Sequence, residues 1–188
     1  MSTVQEQVQA GATTWQIDPD HSAVEFAAKH MMISTVKGRF SGVAGTIRAD
    51  EANPDKSAVE VEIDAATLDT RTEQRDQHLR SADFLDVGSH PAITFRSRKI
   101  QGAMRTAGDE FKVTGELTIR GTTREVTLDA VYEGTGKDPW GGERVSFSAT
   151  TKVDRRDFGL TWNQALETGG LLVGNDIKIS IEVQAIRK

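Results

Sequence analysis

The chain has 188 residues, with 28 acidic side chains against 23 basic ones and a formal charge of -5. That balance opposes the attraction that nucleic acid or an anionic surface demands, and the lysines and arginines form no cluster. There is no cysteine, which excludes disulfides, thiolate metal sites, cysteine nucleophiles and iron–sulfur clusters. The length suits one domain, which at this size buries roughly 70% of its unfolded surface.

Residues 1–14 are polar and lack the basic start and apolar run of a secretory signal. They are expected to be a flexible segment ahead of one domain over residues 15–188, and the expected location is cytoplasmic. No window reaches about 18 consecutive apolar residues, so no spanning helix is expected.

Period-two alternation, which sends successive side chains to opposite faces of a strand, recurs eight times. In chain order the inward candidates are Val24, Phe26 and Ala28; Val43, Gly45 and Ile47; Val59, Val61 and Ile63; then Ile93 and Phe95. Phe111 to Ile119 is the cleanest run, followed by Val126 to Tyr132, Val145 to Val153 and Ile177 to Val183. Turn chemistry separates them at Asn53-Pro54-Asp55, Ala107-Gly108-Asp109, Gly121-Thr122 and Asp138 to Gly142, so neighbouring strands should be antiparallel.

Two stretches break the pattern. Thr70-x-x-Glu73 has capping-box spacing and predicts a short helix over about Thr72 to Ser81. Asp157 to Val173 reads as a long ordered connection with one helical turn.

Eight amphipathic strands make either a two-sheet sandwich or a closed barrel, and periodicity does not choose between them. A barrel of strands about 10 residues long, tilted by about 40°, stands roughly 26 Å tall and has room for one ligand. Small residues on the inward face, such as Ala28, Gly45, Ala130 and Ala149, leave space among Phe26, Phe95 and Phe147. The same alternation also describes a filled core, so the pattern alone does not establish a cavity.

Further blocks carry a resemblance. Trp15-x-Ile17-Asp18-x-x-His21-Ser22-x-Val24-x-Phe26 precedes His30-Met31-x-Ile33-Ser34-x-Val36-x-Gly38-x-Phe40. Arg75-Asp76-x-His78-Leu79-Arg80-Ser81-x-Asp83-Phe84 and Pro91-x-Ile93-Thr94-Phe95 follow, then Gly115-x-Leu117-Thr118-Ile119-Arg120-Gly121. The set closes with Asp154-Arg155-x-Asp157-Phe158-Gly159 and Val173-Gly174-x-x-Ile177-x-Ile179. In this order the blocks resemble the YceI-like, polyisoprenoid-binding family over nearly the whole chain.

The resemblance implies an all-β, lipocalin-like, eight-stranded antiparallel barrel with one or two short helices. It implies no cofactor, and a polyisoprenoid or other long-chain lipid held without chemistry in an apolar pore. The expected pore lining is Val24, Phe26, Ala28, His30, Phe40, Ile47, Val61, Phe95, Leu117, Phe147 and Ile179. Met31, Phe84, Phe158, Trp162, Leu171 and Arg155, mostly in the irregular stretches, are the candidate mouth. The expected partner is a hydrophobic small molecule, and a homodimer is compatible with such barrels.

The histidines His21, His30, His78 and His90 share no short ligand spacing, so no metal site is expected. His21 after Asp18 suits a turn held by a hydrogen bond to backbone or carboxylate, while His30, in phase with the inward face, can meet a head group or a backbone carbonyl. No serine has a nucleophile-elbow context. Asp154-Arg155-Arg156-Asp157 suits a local ion pair and turn, with a phosphate contact through either arginine as the alternative. The rival functions are an enzyme acting on an isoprenoid or quinone lipid, with His30 or Asp76 and His78 as acid–base groups, and a filled barrel serving as a structural or stress-response module.

Overall fold

A computed structural model describes residues 11–188. It contains eleven strands and one α-helix: β1 (Ala12–Ile17), β2 (Ala23–His30), β3 (Ser34–Phe40), β4 (Val43–Asp50), β5 (Ala58–Asp64), β6 (Leu68–Asp69), α1 (Glu73–Arg80), β7 (Ala92–Gly102), β8 (Glu110–Ile119), β9 (Thr122–Lys137), β10 (Glu143–Asp154) and β11 (Val173–Arg187). Every pairing is antiparallel, and β11 pairs with β10 on one side and with β1 and β2 on the other, which closes the sheet. The sandwich alternative therefore falls to the barrel.

The eight alternating runs occupy eight positions around that barrel, but three of the positions are broken strands. The register sets β1 opposite β4 (Trp15↔Ile47) and β2 opposite β3 (Val24↔Phe40), so β1 with β2 and β3 with β4 act as one long interrupted hairpin. A 3-10 turn at Pro19–His21 makes the first break, and His21 Nδ1 meets Asp18 Oδ2 there at 2.9 Å, the carboxylate-held turn its position suggested. Asp18 also accepts from Arg144 at 2.7 Å, which with the His21 contact holds its pKa below the ordinary carboxylate value. The third break, at Ala65–Thr67, leaves β6 to pair with β3.

Of the flexible segment expected over residues 1–14, residues 1–10 lie outside the described residues, and Ala12 to Thr14 form the start of β1 against Asp50, Ala49 and Arg48. Backbone pairing with β4 orders a stretch whose polar sequence carries no apolar signal.

The helix falls where expected, at Glu73–Arg80, but the capping box does not form. Thr72 is the N-cap, and Thr70 instead donates from its hydroxyl and its backbone N–H to the buried Asp76 carboxylate. Arg75 closes the unit by donating to Thr70 Oγ1 and Thr70 O, both at 2.7 Å. A buried carboxylate needs donors more than a helix end needs a cap.

Strand direction sorts the connections. The 31–33 hairpin, the 70–91 segment with α1, the tight turn at Arg120 and Gly121 and the long 155–172 connection share one end of the barrel, hereafter the covered end. The start of β1, the end of β11 and the connections 51–57, 103–109 and 138–142 share the other.

Candidate ligand-binding cavity

The barrel encloses a cavity of about 280 Å³ whose wall receives side chains from every strand position. Inward parity delivers aliphatic and aromatic groups, so the wall is apolar except for Ser57, Ser148, Thr151 and Arg155. The filled-core alternative does not describe this interior.

Two glycines explain how large rings and open space coexist. Phe26 lies opposite Gly38 in the register, and a Cβ on Gly38 would stand 2.3 Å from Phe26 Cζ, so the ring lies over the bare glycine. On the other side Phe95 covers Gly115, where a Cβ would meet its Cζ at 2.7 Å. Missing side chains on one strand thus receive rings from the next, and the rings occupy wall rather than bore.

The covered end is closed by the two irregular stretches packing on each other. Leu79, Phe84, Leu85, Phe158 and Leu160 reach the cavity. Outside them His78 sits edge-on to Phe84 and Trp162, at centroid distances of 5.1 and 4.6 Å, and its Nε2 meets Asp83 at 2.8 Å. Arg80 ties the helix to the Ala66 and Leu68 carbonyls, and Arg120 donates to the Phe84 carbonyl at 3.0 Å.

Arg155 holds the long connection. It is 4% exposed and donates to Leu160 O and Trp162 O at 2.8 Å, to Gly174 O at 3.0 Å and to Val173 O at 3.4 Å. Burial pushes its pKa down. A guanidinium engaged by four carbonyls serves as an internal strut, so its place in the expected mouth is corrected to the closure of the covered end, where it touches the cavity from behind. Its neighbour Arg156 takes the local role: it pairs with Asp154, whose pKa falls to about 2 through those hydrogen bonds.

Of the residues expected to line a pore, Val24, Phe26, Ala28, Phe40, Ile47, Val61, Phe95, Leu117, Phe147 and Ile179 are in the wall. His30 is half-buried and outside it, because the strand there runs past the bore into the 31–33 hairpin. Phe84 and Phe158 are in the wall, but as buried closure. Met31 and Leu171 are exposed and Trp162 packs behind Phe84, so none of these three reaches the cavity. Asp76 is spent on Thr70 and His78 on Asp83, and neither faces the bore.

Ile17, Leu79 and Met104 join the wall without having been singled out. Ile17 was legible in the Trp15-x-Ile17 alternation, whereas Met104, in a turn, carries no local signal.

A family model described as a YceI-like domain matches residues 15–185. A UPF0312 protein of Pseudomonas paraeruginosa is 36% identical over 182 residues, 96% of this chain and 90% of its own, and Protein YceI of Salmonella newport is 41% identical over 154 residues, 81% and 78%. Among solved structures, a Campylobacter jejuni YceI protein shares 33% identity with a TM-score of 0.69, covering 85% of this chain and 90% of its own. Burkholderia cenocepacia BcnA superposes with a TM-score of 0.75 at 22% identity, over 89% of this chain and 98% of that one. A polyisoprenoid binding domain from Saccharophagus degradans superposes at 0.67 and 11% identity, over 93% and 98%, a likeness of fold.

Proposed function

The chain belongs to the YceI-like domain family, and from that premise we propose that it binds, carries or stores a long-chain isoprenoid or similar amphiphilic lipid in the barrel cavity, without enzymatic turnover. The observation that carries the reading is the bore itself: a closed barrel whose wall is aliphatic and aromatic on all sides, with four polar residues. Such a wall offers a polar substrate almost nothing and an alkenyl chain a dry tube. Burial contributes about 0.8 kcal/mol per methylene-sized group, against an association cost of about 4 kcal/mol or more.

The volume, about 280 Å³, lies just below the range of small-molecule sites, roughly 300–1,000 Å³. A long chain therefore threads along the bore and leaves part of itself outside. The family and the polyisoprenoid binding named for the Saccharophagus degradans domain support the ligand class. In this reading the wall residues Val24, Phe26, Val61, Leu117, Phe147 and Ile179 contact the tail, and no residue acts as acid or base.

Native mass spectrometry of protein purified from a lipid-containing host, followed by solvent extraction, tests it. A co-purified lipid, or saturable binding of geranylgeraniol by extracted protein, is the expected result. Repeated recovery of empty protein that binds no prenyl chain refutes it.

A further inference from the structure

The barrel has a parted seam. The ladder between β9 and β10 ends at Asp129↔Thr150, although both strands continue toward the covered end. Residues 122–128 of β9 pair only with β8, and 151–154 of β10 pair only with β11. A side-chain bond from Thr151 Oγ1 to Thr127 O, 2.9 Å, spans the gap in place of backbone bonds.

A second cavity of about 290 Å³ lies in that gap. Its floor includes Val126, Thr151, Val153 and Phe158, and these four residues also line the bore. Its rim is polar: Arg124, Glu125, Lys152, Asp154 and Asp157. Three apolar residues common to the two cavities, Val126, Val153 and Phe158, beside a hydrophilic rim open to solvent match the two parts of an amphiphile.

We propose that this seam is a lateral portal, which holds the head group of the bound lipid while the tail lies in the bore and through which the lipid enters and leaves. This rests on the reading of the bore as a lipid site. The rim specifies the kind of head. Asp154 is committed to Arg156 at 2.6 Å, which leaves Arg124 and Lys152 facing Glu125 and Asp157, and Lys152 also reaches Asp176 at 3.4 Å. No net positive field remains for a phosphate. Apart from Thr127 O, which accepts from Thr151, the facing strand edges offer backbone N–H and C=O groups that the ladder does not use, which suits a neutral hydrogen-bonding head, an alcohol or a carbonyl.

The absence of cysteine makes a clean test. Continuing the β9–β10 register by two residues sets Thr127 opposite Lys152, so Thr127→Cys with Lys152→Cys staples the seam when oxidised. Tritium-labelled geranylgeraniol is loaded on the reduced protein, and its release is timed before and after oxidation. Release slows by about tenfold or more on oxidation, as expected where ligand passes a gate, and recovers with dithiothreitol. Thr118→Cys with Thr123→Cys, a staple across the intact β8–β9 ladder, leaves the rate unchanged.

Lys152→Cys alkylated with a bulky maleimide blocks the seam without a second thiol, and decides the matter if the pair does not crosslink. Unchanged release from a stapled or alkylated seam overturns the portal. Failure of the unmodified protein to bind geranylgeraniol would instead remove the lipid reading of the bore. Geranylgeranyl diphosphate binding as tightly as the alcohol overturns the neutral head.

Discussion

Replacing Gly38 with alanine tests whether the bore owes its space to the ring-over-glycine packing. The new Cβ would lie 2.3 Å from Phe26 Cζ, 2.7 Å from Cε1 and 2.8 Å from Thr70 Cγ2. Carbon atoms rest at about 3.5–4.0 Å, so the ring must retreat by more than about 1 Å. Phe40 stands beside it at a centroid distance of 5.6 Å, which leaves the bore as the direction with room. Overpacking of this kind costs about 1–3 kcal/mol, read as a lower urea midpoint at unchanged slope. The displaced ring also removes space for one or two methylene groups of the tail, about 0.8 kcal/mol each, and so weakens geranylgeraniol binding by roughly tenfold. Phe26→Leu in the Gly38→Ala background restores both, giving a coupling energy of about 1 kcal/mol or more in the double-mutant cycle. Additive effects of the two substitutions, or an alanine variant with unchanged stability and affinity, would refute the argument.

Arg155→Met leaves four carbonyls without their buried donor and lowers stability by about 3 kcal/mol or more, with chymotrypsin cutting first within residues 160–172, at Trp162 or the leucines. Asp154 has its pKa depressed from 3.8 to about 2, so it contributes stability above pH 3.8 that is lost as pH falls toward 2. The Asp154→Asn variant should accordingly show a flatter acid unfolding curve through that window, and an identical curve would discount the Arg156 pairing. Met32 sits in the left-handed region at φ 62° and is 63% exposed, so Met32→Gly should leave stability unchanged or raise it by up to about 1 kcal/mol, and a lower melting temperature would refute this. Trp162→Ala removes the cover over His78 and Phe84 and should speed hydrogen exchange in α1 relative to β8.

The fold and the wall were largely legible in the residues, while the closure and the side gap were not. Alternation puts Phe26, Val61, Leu117 and Ile179 on one face wherever their strands run, because the period of a strand is a local property. The same reasoning placed His30 inward, and it failed because phase says nothing about where the bore ends. Arg155 was expected at the mouth and, beside Asp154 and Asp157, in a local ion pair, yet the carbonyls that hold it belong to Leu160, Trp162, Val173 and Gly174, brought back by the long connection. β3 was missed as a strand of its own because Ser34, Gly38 and Lys37 dilute its pattern, while pairing with β2 supplies the order that composition does not.

By itself the sequence determined an antiparallel all-β chain with one apolar face, since side-chain period and turn chemistry are read from neighbours. Only the tertiary structure decided that β11 closes on β1 and β2, that rings lie over Gly38 and Gly115 to keep the bore open, and that β9 and β10 part beyond Asp129↔Thr150. Each of these depends on contacts between residues far apart in the chain, and their geometry is set by closing eight twisted strands on one another, a condition that no single segment contains.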